Sequence, residues 1–299
     1  MNELAPIVLF VYNRPWHTQQ TLYALKKNEL AEQSDLIVYS DAAKNDEAKK
    51  TVEEVRELVK NITGFKQVTV VERETNWGLA DSIIDGVTAI VNQYGKIIVL
   101  EDDIVTSPYF LWYMNDALEY YQDKDKVMHI SGWNYPINTE GLPETVFLRA
   151  TSCWGWATWS RAWQFFDKNP QKLLETFTKK DRYNIDFNGT AGMWSQVTGN
   201  LSGKLNTWAI FWYASVFKVN GLCLHPTNSL VENIGHDGSG VHCGASDLYN
   251  VVLSDKSVAH FSDDITESSI TMDRIQRSLL SNKKSLFKRV LNKLTRRSM

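Results

Sequence analysis

The sequence predicts a doubly wound α/β fold, and three observations carry that prediction. Four short apolar runs, PIVLFVY, DLIVYS, QVTVVE and KIIVL, fall within the first hundred residues. Helical patterns separate them, near 17–29, 46–61 and 79–93. The residues directly behind each run are polar. Runs with little polar alternation suit strands covered on both faces. Helices between parallel strands supply right-handed crossovers, and ligands of such sheets sit beyond the carboxyl ends of the strands.

Taken in order, the first run extends over eight residues, Ala5 to Tyr12, and is broken by Asn13, Arg14 and Pro15. It lacks a basic flank, so it reads as a buried strand and not as a secretory signal. Asp41 follows the second run, Arg73 to Asn76 the third, and Glu101-Asp102-Asp103 the fourth. Ser107-Pro108 then marks a helix start, with Ser107 as N-cap and Pro108 at the first helical position, ahead of YFLWYMNDALEYY. Beyond about residue 127 the alternation fades. VMHIS and TVFLRA there are expected to add strands that make the sheet mixed.

Length and composition set the outer limits. At 299 residues and 43% hydrophobic, the chain can bury a sizeable core. A net charge of -3 argues against wrapping nucleic acid. The charge is uneven: residues 283–299 carry seven lysines and arginines and no acid, so −3 less seven leaves −10 on the rest. Cys153, Cys223 and Cys243 are odd in number and widely spaced, which suits a reducing compartment. No apolar stretch approaches the roughly 18 residues of a membrane span.

The acidic triplet carries the chemistry. Three consecutive carboxylates repel one another unless a positive charge sits among them. Mg²⁺ and Mn²⁺ take one or two carboxylates and complete their shell with water and substrate phosphates. An isolated E-D-D is as well explained by a solvated turn; at the end of a strand in this sheet, a divalent ion is the expectation.

Read together, NRP after the first strand, SDAAK after the second, N-W-G-L-A before the third helix and V-L-E-D-D-I-V-T-S-P-Y-F at the fourth strand resemble glycosyltransferases of the GT-A fold. Within these the pattern is most similar to the N-acetylglucosaminyltransferase I branch and its bacterial relatives. The likeness covers roughly residues 5–122. It continues more loosely through CWGWATW, TWAIFWYASVF and ENIGHDGSGVH, which resemble segments of bacterial capsule and O-antigen transferases of family 2 type. The resemblance implies a Rossmann-like mixed sheet with a nucleotide-sugar-binding half at 1–125, an acceptor-binding half at 126–265 and a basic helical tail at 266–299. It further implies that Asp103 ligates Mn²⁺ or Mg²⁺ and that Glu101 and Asp102 hold the ribose and outer shell. Asn13, Arg14 and Asp41 would contact the nucleotide. The segment from Arg73 through Asn76 and Gly78 to Leu79 would close over the donor; Asn76 as a helix cap is compatible with that. Departure of a nucleoside diphosphate develops negative charge on phosphate oxygens, which a divalent ion stabilises as a Lewis acid. Inversion at the sugar carbon also needs a base for the acceptor hydroxyl.

That base is not where the resemblance would put it, because Ala209 stands at the expected acid. Asp186 in DFNGTAG and Asp237 in NIGHDGSGVH are the remaining candidates. A nucleotide-sugar-binding protein without turnover is the alternative that Ala209 motivates. His236 and His242 flank a D-G-S-G turn and are candidate metal ligands. Trp154 and Trp156 are expected near substrate, because flat ring faces stack on sugars. In SLFKRVLNKL, Leu286, Phe287, Val290, Leu291 and Leu294 share one helical face with basic residues opposite. This C-terminal amphipathic basic helix is expected to lie on the anionic inner face of a bacterial cytoplasmic membrane. The full expectation is a cytoplasmic, peripheral transferase acting on a lipid-linked surface glycan, probing no nucleic acid.

Overall fold

A computed structural model describes residues 3–238 and 248–282. Its first half runs β1 (Ile7–Val11), α1 (Pro15–Lys26), a 3₁₀ turn (Ala31–Gln33), β2 (Asp35–Ser40), α2 (Asp46–Lys60), β3 (Gln67–Glu72), α3 (Leu79–Tyr94) and β4 (Lys96–Glu101). These strands pair in parallel in the order β3-β2-β1-β4. The chain thus winds outward from β1 to β3 and returns through α3 to the other side of β1. The order reverses between β1 and β4, which is where sheets of this kind open a ligand crevice.

Local sequence explains these elements. Along β1 the side chains alternate between two buried faces, with Ile7, Leu9 and Val11 in one core and Val8 and Phe10 in the other. In α2 the Asn45 side chain accepts from Ala48 N, Asp46 and Glu47 sit in the first turn, and Lys60 ends the helix. Its buried residues Ala48, Val52, Val55 and Val59 recur at helical spacing. Helix α1 starts two residues before the periodic pattern, because Pro15 occupies its first turn.

The second half adds β5 (Ile104–Thr106), α4 (Phe110–Tyr120), β6 (Val127–Ser131), β7 (Thr145–Leu148), β8 (Trp156–Trp159), α5 (Ser160–Trp163), α6 (Pro170–Thr176), α7 (Lys179–Ile185), α8 (Trp194–Leu201), α9 (Ala209–Lys218), β9 (Leu222–Pro226) and β10 (Val231–Asn233). Strand β8 runs antiparallel to both β4 and β6, and the eight-stranded sheet is ordered β3-β2-β1-β4-β8-β6-β9-β7. It is the mixed α/β sheet that the sequence predicts. Helix α4 begins at Phe110, later than the Ser107-Pro108 signal implies. Ser107 instead caps the turn ahead of the helix: its hydroxyl accepts Tyr109 N at 3.4 Å and donates to Ser254 O at 2.7 Å, while its carbonyl accepts Phe110 N.

Residues 269–282 are helical, with Met272 and Ile275 in a third core beside α9. The basic amphipathic helix expected within 283–299 lies outside the described residues. Among the described residues, no helix is long and apolar enough to cross a membrane. Cys223 is a buried free thiol.

Candidate active site

Two chain ends meet at the reversal point of the sheet. Arg14 leaves β1 as the N-cap of α1, and Glu101, Asp102 and Asp103 leave β4. One guanidinium nitrogen, Nη2 of Arg14, donates to both Asp102 Oδ1 and Asp103 Oδ2, the latter at 2.7 Å. Asp102 and Asp103 are both buried. Burial first, and then the charges of Asp103 and Asp102, push the Glu101 carboxyl well above its usual range, with Arg14 offsetting only part. Burial pushes Asp102 up as well, against the pull of Arg14. The cluster therefore holds more negative charge than one guanidinium can balance, a setting that favours a proton or a further cation.

A second segment crosses this cluster. Strand β10 pairs antiparallel with β5, so the residues after it pass beside Asp103, and Ile234 N donates to Asp103 O at 2.9 Å. At Gly235 a Cβ would collide with the Asp103 carboxylate and come within 2.9 Å of Arg14 Nη1. Only glycine lets this strand lie so close. His236 and Asp237 follow at once. Asp237 Oδ2 lies 3.1 Å from Nε2 of the buried His17 in the first turn of α1. His236 meets Trp154 edge to face at 5.2 Å, and Trp154 in turn meets Trp133 and Tyr249. The site has an aromatic wall beside its carboxylates.

The residues fit a divalent ion in part. Asp103 Oδ1 and His236 Nε2 are both buried and have no hydrogen-bond partner among the described residues. Such orphaned polar atoms carry a desolvation cost, which a bound cation removes from a carboxylate oxygen or an unprotonated ring nitrogen. Among the described residues no three His, Cys, Asp or Glu side chains form a ready-made cage. Mg²⁺ and Mn²⁺ do not require one, since phosphates and water complete their shell. His242 lies outside the described residues.

Asp41, expected at the nucleotide, faces the loop before α3. Its Oδ1 accepts from Ala42 N and Trp77 N, both at 2.9 Å, and its Oδ2 from Asn76 Nδ2 and Gly78 N, at 2.9 and 2.8 Å. Four donors fill the acceptor capacity of a carboxylate. Asn76 is accordingly no helix cap; its Nδ2 bridges Asp41 and Ala42 O. Gly78 caps α3 with φ 75, and a Cβ there meets nothing within 4 Å. Its backbone conformation calls for glycine at this position. Asn13 is partly buried in the bend between β1 and α1.

One of these expectations needs correction. Trp156, expected against substrate, is 0% exposed and is packed among Trp163, Trp208 and Trp212. A ring with no free face cannot stack on a sugar. Asp186 holds its own loop: its carboxylate accepts Met193 N and its carbonyl accepts Thr190 N and Ala191 N. Phe187 and Asn188 in that loop take φ of 50 and 54. Sequence reasoning passed over His17 and Tyr249, which carry no motif; only the crossing of the 234–238 segment brings them to the site.

The sequence matches the family model described as glycosyl transferase family 2 over residues 7–187. No curated protein matches it. Among solved structures, the fold resembles the mannosyltransferase PcManGT from Pyrobaculum calidifontis in complex with GDP-Man and Mn²⁺, at TM-score 0.41 and 9% identity, covering 73% of this chain and 70% of that one. It also resembles S. aureus TarS 1-349, at TM-score 0.41 and 12% identity, covering 76% of this chain and 59% of that one. Mouse xyloside xylosyltransferase 1 is similar at TM-score 0.36 and 12% identity, covering 74% of this chain and 97% of that one.

Proposed function

The chain belongs to glycosyl transferase family 2 and is a nucleotide-sugar glycosyltransferase, and from that premise we propose that it is metal-dependent and moves a sugar from a UDP-sugar to a hydroxyl of a glycan acceptor. The observation that carries the metal reading is the pair of buried polar atoms with no hydrogen-bond partner among the described residues, Asp103 Oδ1 and His236 Nε2, beside the carboxylates at the end of β4. A divalent ion at this place supplies Lewis acidity toward the departing diphosphate. The chain's own residues do the rest. Asp102 and Asp103 hold the ion, the segment 76–78 secured by Asp41 lines the donor pocket, and Trp154 offers an apolar face to a sugar. Residues 1–125 bind donor in this reading and 126–265 bind acceptor.

Asp237 is the better candidate for the base. Its side chain is 46% exposed at the site, and His17 beside it can steady its charge. Asp186 is held by its loop. The likeness of the motifs to the N-acetylglucosaminyltransferase I branch favours UDP-N-acetylglucosamine as donor and inversion as outcome. The basic stretch 283–299 favours an acceptor linked to lipid, at the inner face of a bacterial membrane, in surface polysaccharide synthesis.

A thermal-shift panel of UDP-, GDP- and dTDP-sugars, each with Mn²⁺ and with EDTA, tests the reading. Stabilisation by UDP-sugars with Mn²⁺ alone is the expected result. An equal shift in EDTA would remove the metal, and a shift with GDP-sugars only would replace the donor.

A further inference from the structure

The acidic pair is already bound to a cation of the protein's own. Nη2 of Arg14 serves Asp102 Oδ1 and Asp103 Oδ2 together. A point shared by two carboxylate oxygens is where positive charge is best stabilised, and a divalent ion held by both Asp102 and Asp103 would compete for it. The two cannot occupy it at once. Gly235, having no Cβ, leaves room for this arrangement: a Cβ there would collide with the Asp103 carboxylate and come within 2.9 Å of Arg14 Nη1.

Resting on the metal reading above, we propose that Arg14 is a resident counter-cation of Asp102 and Asp103, which a divalent ion must displace, and that the donor diphosphate gives the freed guanidinium its new partner. The backbone of Arg14 stays fixed, because its carbonyl accepts Thr18 N at 3.0 Å and Thr18 Oγ1 at 2.9 Å in the first turn of α1. Only the side chain moves. A guanidinium matches phosphate as well as carboxylate geometry, and the diphosphate of ligands in such sheets lies in the crevice that Arg14 already spans. Ion and donor then bind cooperatively: the ion releases Arg14, the diphosphate captures it, and by linkage each tightens the other. The apparent ion affinity of the donor-free enzyme is held low, which ties assembly of the ion site to arrival of the donor.

The test is Mn²⁺ titration, followed by electron paramagnetic resonance of free Mn²⁺, on wild type, Arg14→Met and Arg14→Lys, with and without UDP. Without nucleotide, Arg14→Met should bind Mn²⁺ about tenfold more tightly than wild type, toward the lower end of usual coupling between two ligands. Arg14→Lys, which keeps the charge, should stay near wild type. UDP should tighten Mn²⁺ binding in wild type and do so less in Arg14→Met. If Arg14→Met folds only when Mn²⁺ is added, the ion has taken over the role of the guanidinium, and the proposal stands. Failure of Mn²⁺ to restore folding would overturn it, as would nucleotide-free binding no tighter in Arg14→Met than in wild type while UDP still promotes wild-type Mn²⁺ binding. If no form binds Mn²⁺ even with UDP, the metal reading itself falls and takes this inference with it.

Discussion

At the level of single residues, neighbours in sequence turn out to have opposite fates. Trp154 and Trp156 are two apart, which on one strand would put them on one face. Gly155 between them takes φ 57, so the chain turns and Trp154 joins the aromatic wall while Trp156 enters the core. Asp186 and Asp237 diverge in the same way, and their substitution separates them. Asp237→Asn is expected to lower kcat by about 10²–10⁴, the usual worth of a general base, with little change in melting temperature. Asp186→Ala should instead lower the melting temperature, because Met193 N then loses its acceptor. Initial rates and thermal melts on both variants check this. His129 supplies a pH prediction. Buried in β6, its Nδ1 accepts from Trp212 Nε1 at 3.0 Å, and its Nε2 faces Ser152 O at 3.0 Å, an arrangement that needs the neutral ring. Burial, and to a lesser extent His225, holds its pKa well below 6.5. The unfolded chain therefore takes up a proton that the native ring refuses. The contribution of His129 to stability is complete above pH 6.5 and is lost as pH falls from there toward the folded pKa. Stability should drop by up to about 1.4 kcal/mol per pH unit from this group. Denaturant melts between pH 7 and 5 should show a shallower slope for His129→Gln.

Among elements, the loop between β3 and α3 depends on one carboxylate. Asp41, directly after β2, accepts three backbone amides and one side-chain amide, two of the backbone donors being Trp77 N and Gly78 N. Asp41→Ala leaves these donors without partners, at a cost on the order of 1–3 kcal/mol. The expected result is faster hydrogen exchange at Trp77 and Gly78, a lower melting temperature and weaker donor-induced stabilisation. Protection of those amides equal to wild type would show that the loop stands by itself. The polar residues behind each strand were legible from sequence because strand ends follow from the apolar runs. Their partners were not, since Asp41 and Gly78 are far apart in the chain and meet only through the β2–β3 pairing.

Over the whole molecule, charge is divided between an acidic body and a basic terminus. Seven of the 32 lysines and arginines lie in 283–299. Near an anionic leaflet each adds about 1 kcal/mol, so a chain truncated after residue 282 should no longer sediment with phosphatidylserine or cardiolipin vesicles at low salt. Continued sedimentation would place the attachment elsewhere on the body. The donor-dependent thermal shift should survive the truncation, because the reversal point of the sheet and its carboxylates lie within residues 7–103.

By itself the sequence determined the strand and helix order of the first half, the burial of β1, β2 and β4 and the acidic end of β4, whereas β3, at the sheet edge, has no fully buried residue. These rest on local periodicity and on chain breaks such as Pro15, which are written in adjacent residues. Tertiary structure alone decided which nitrogen meets Asp103, that Gly235 leaves room for it, that Asp41 closes a loop and that Trp156 is core. Each of these depends on segments joined by strand pairing across long stretches of chain, as when β10 lies on β5 and carries Gly235, His236 and Asp237 onto the end of β4.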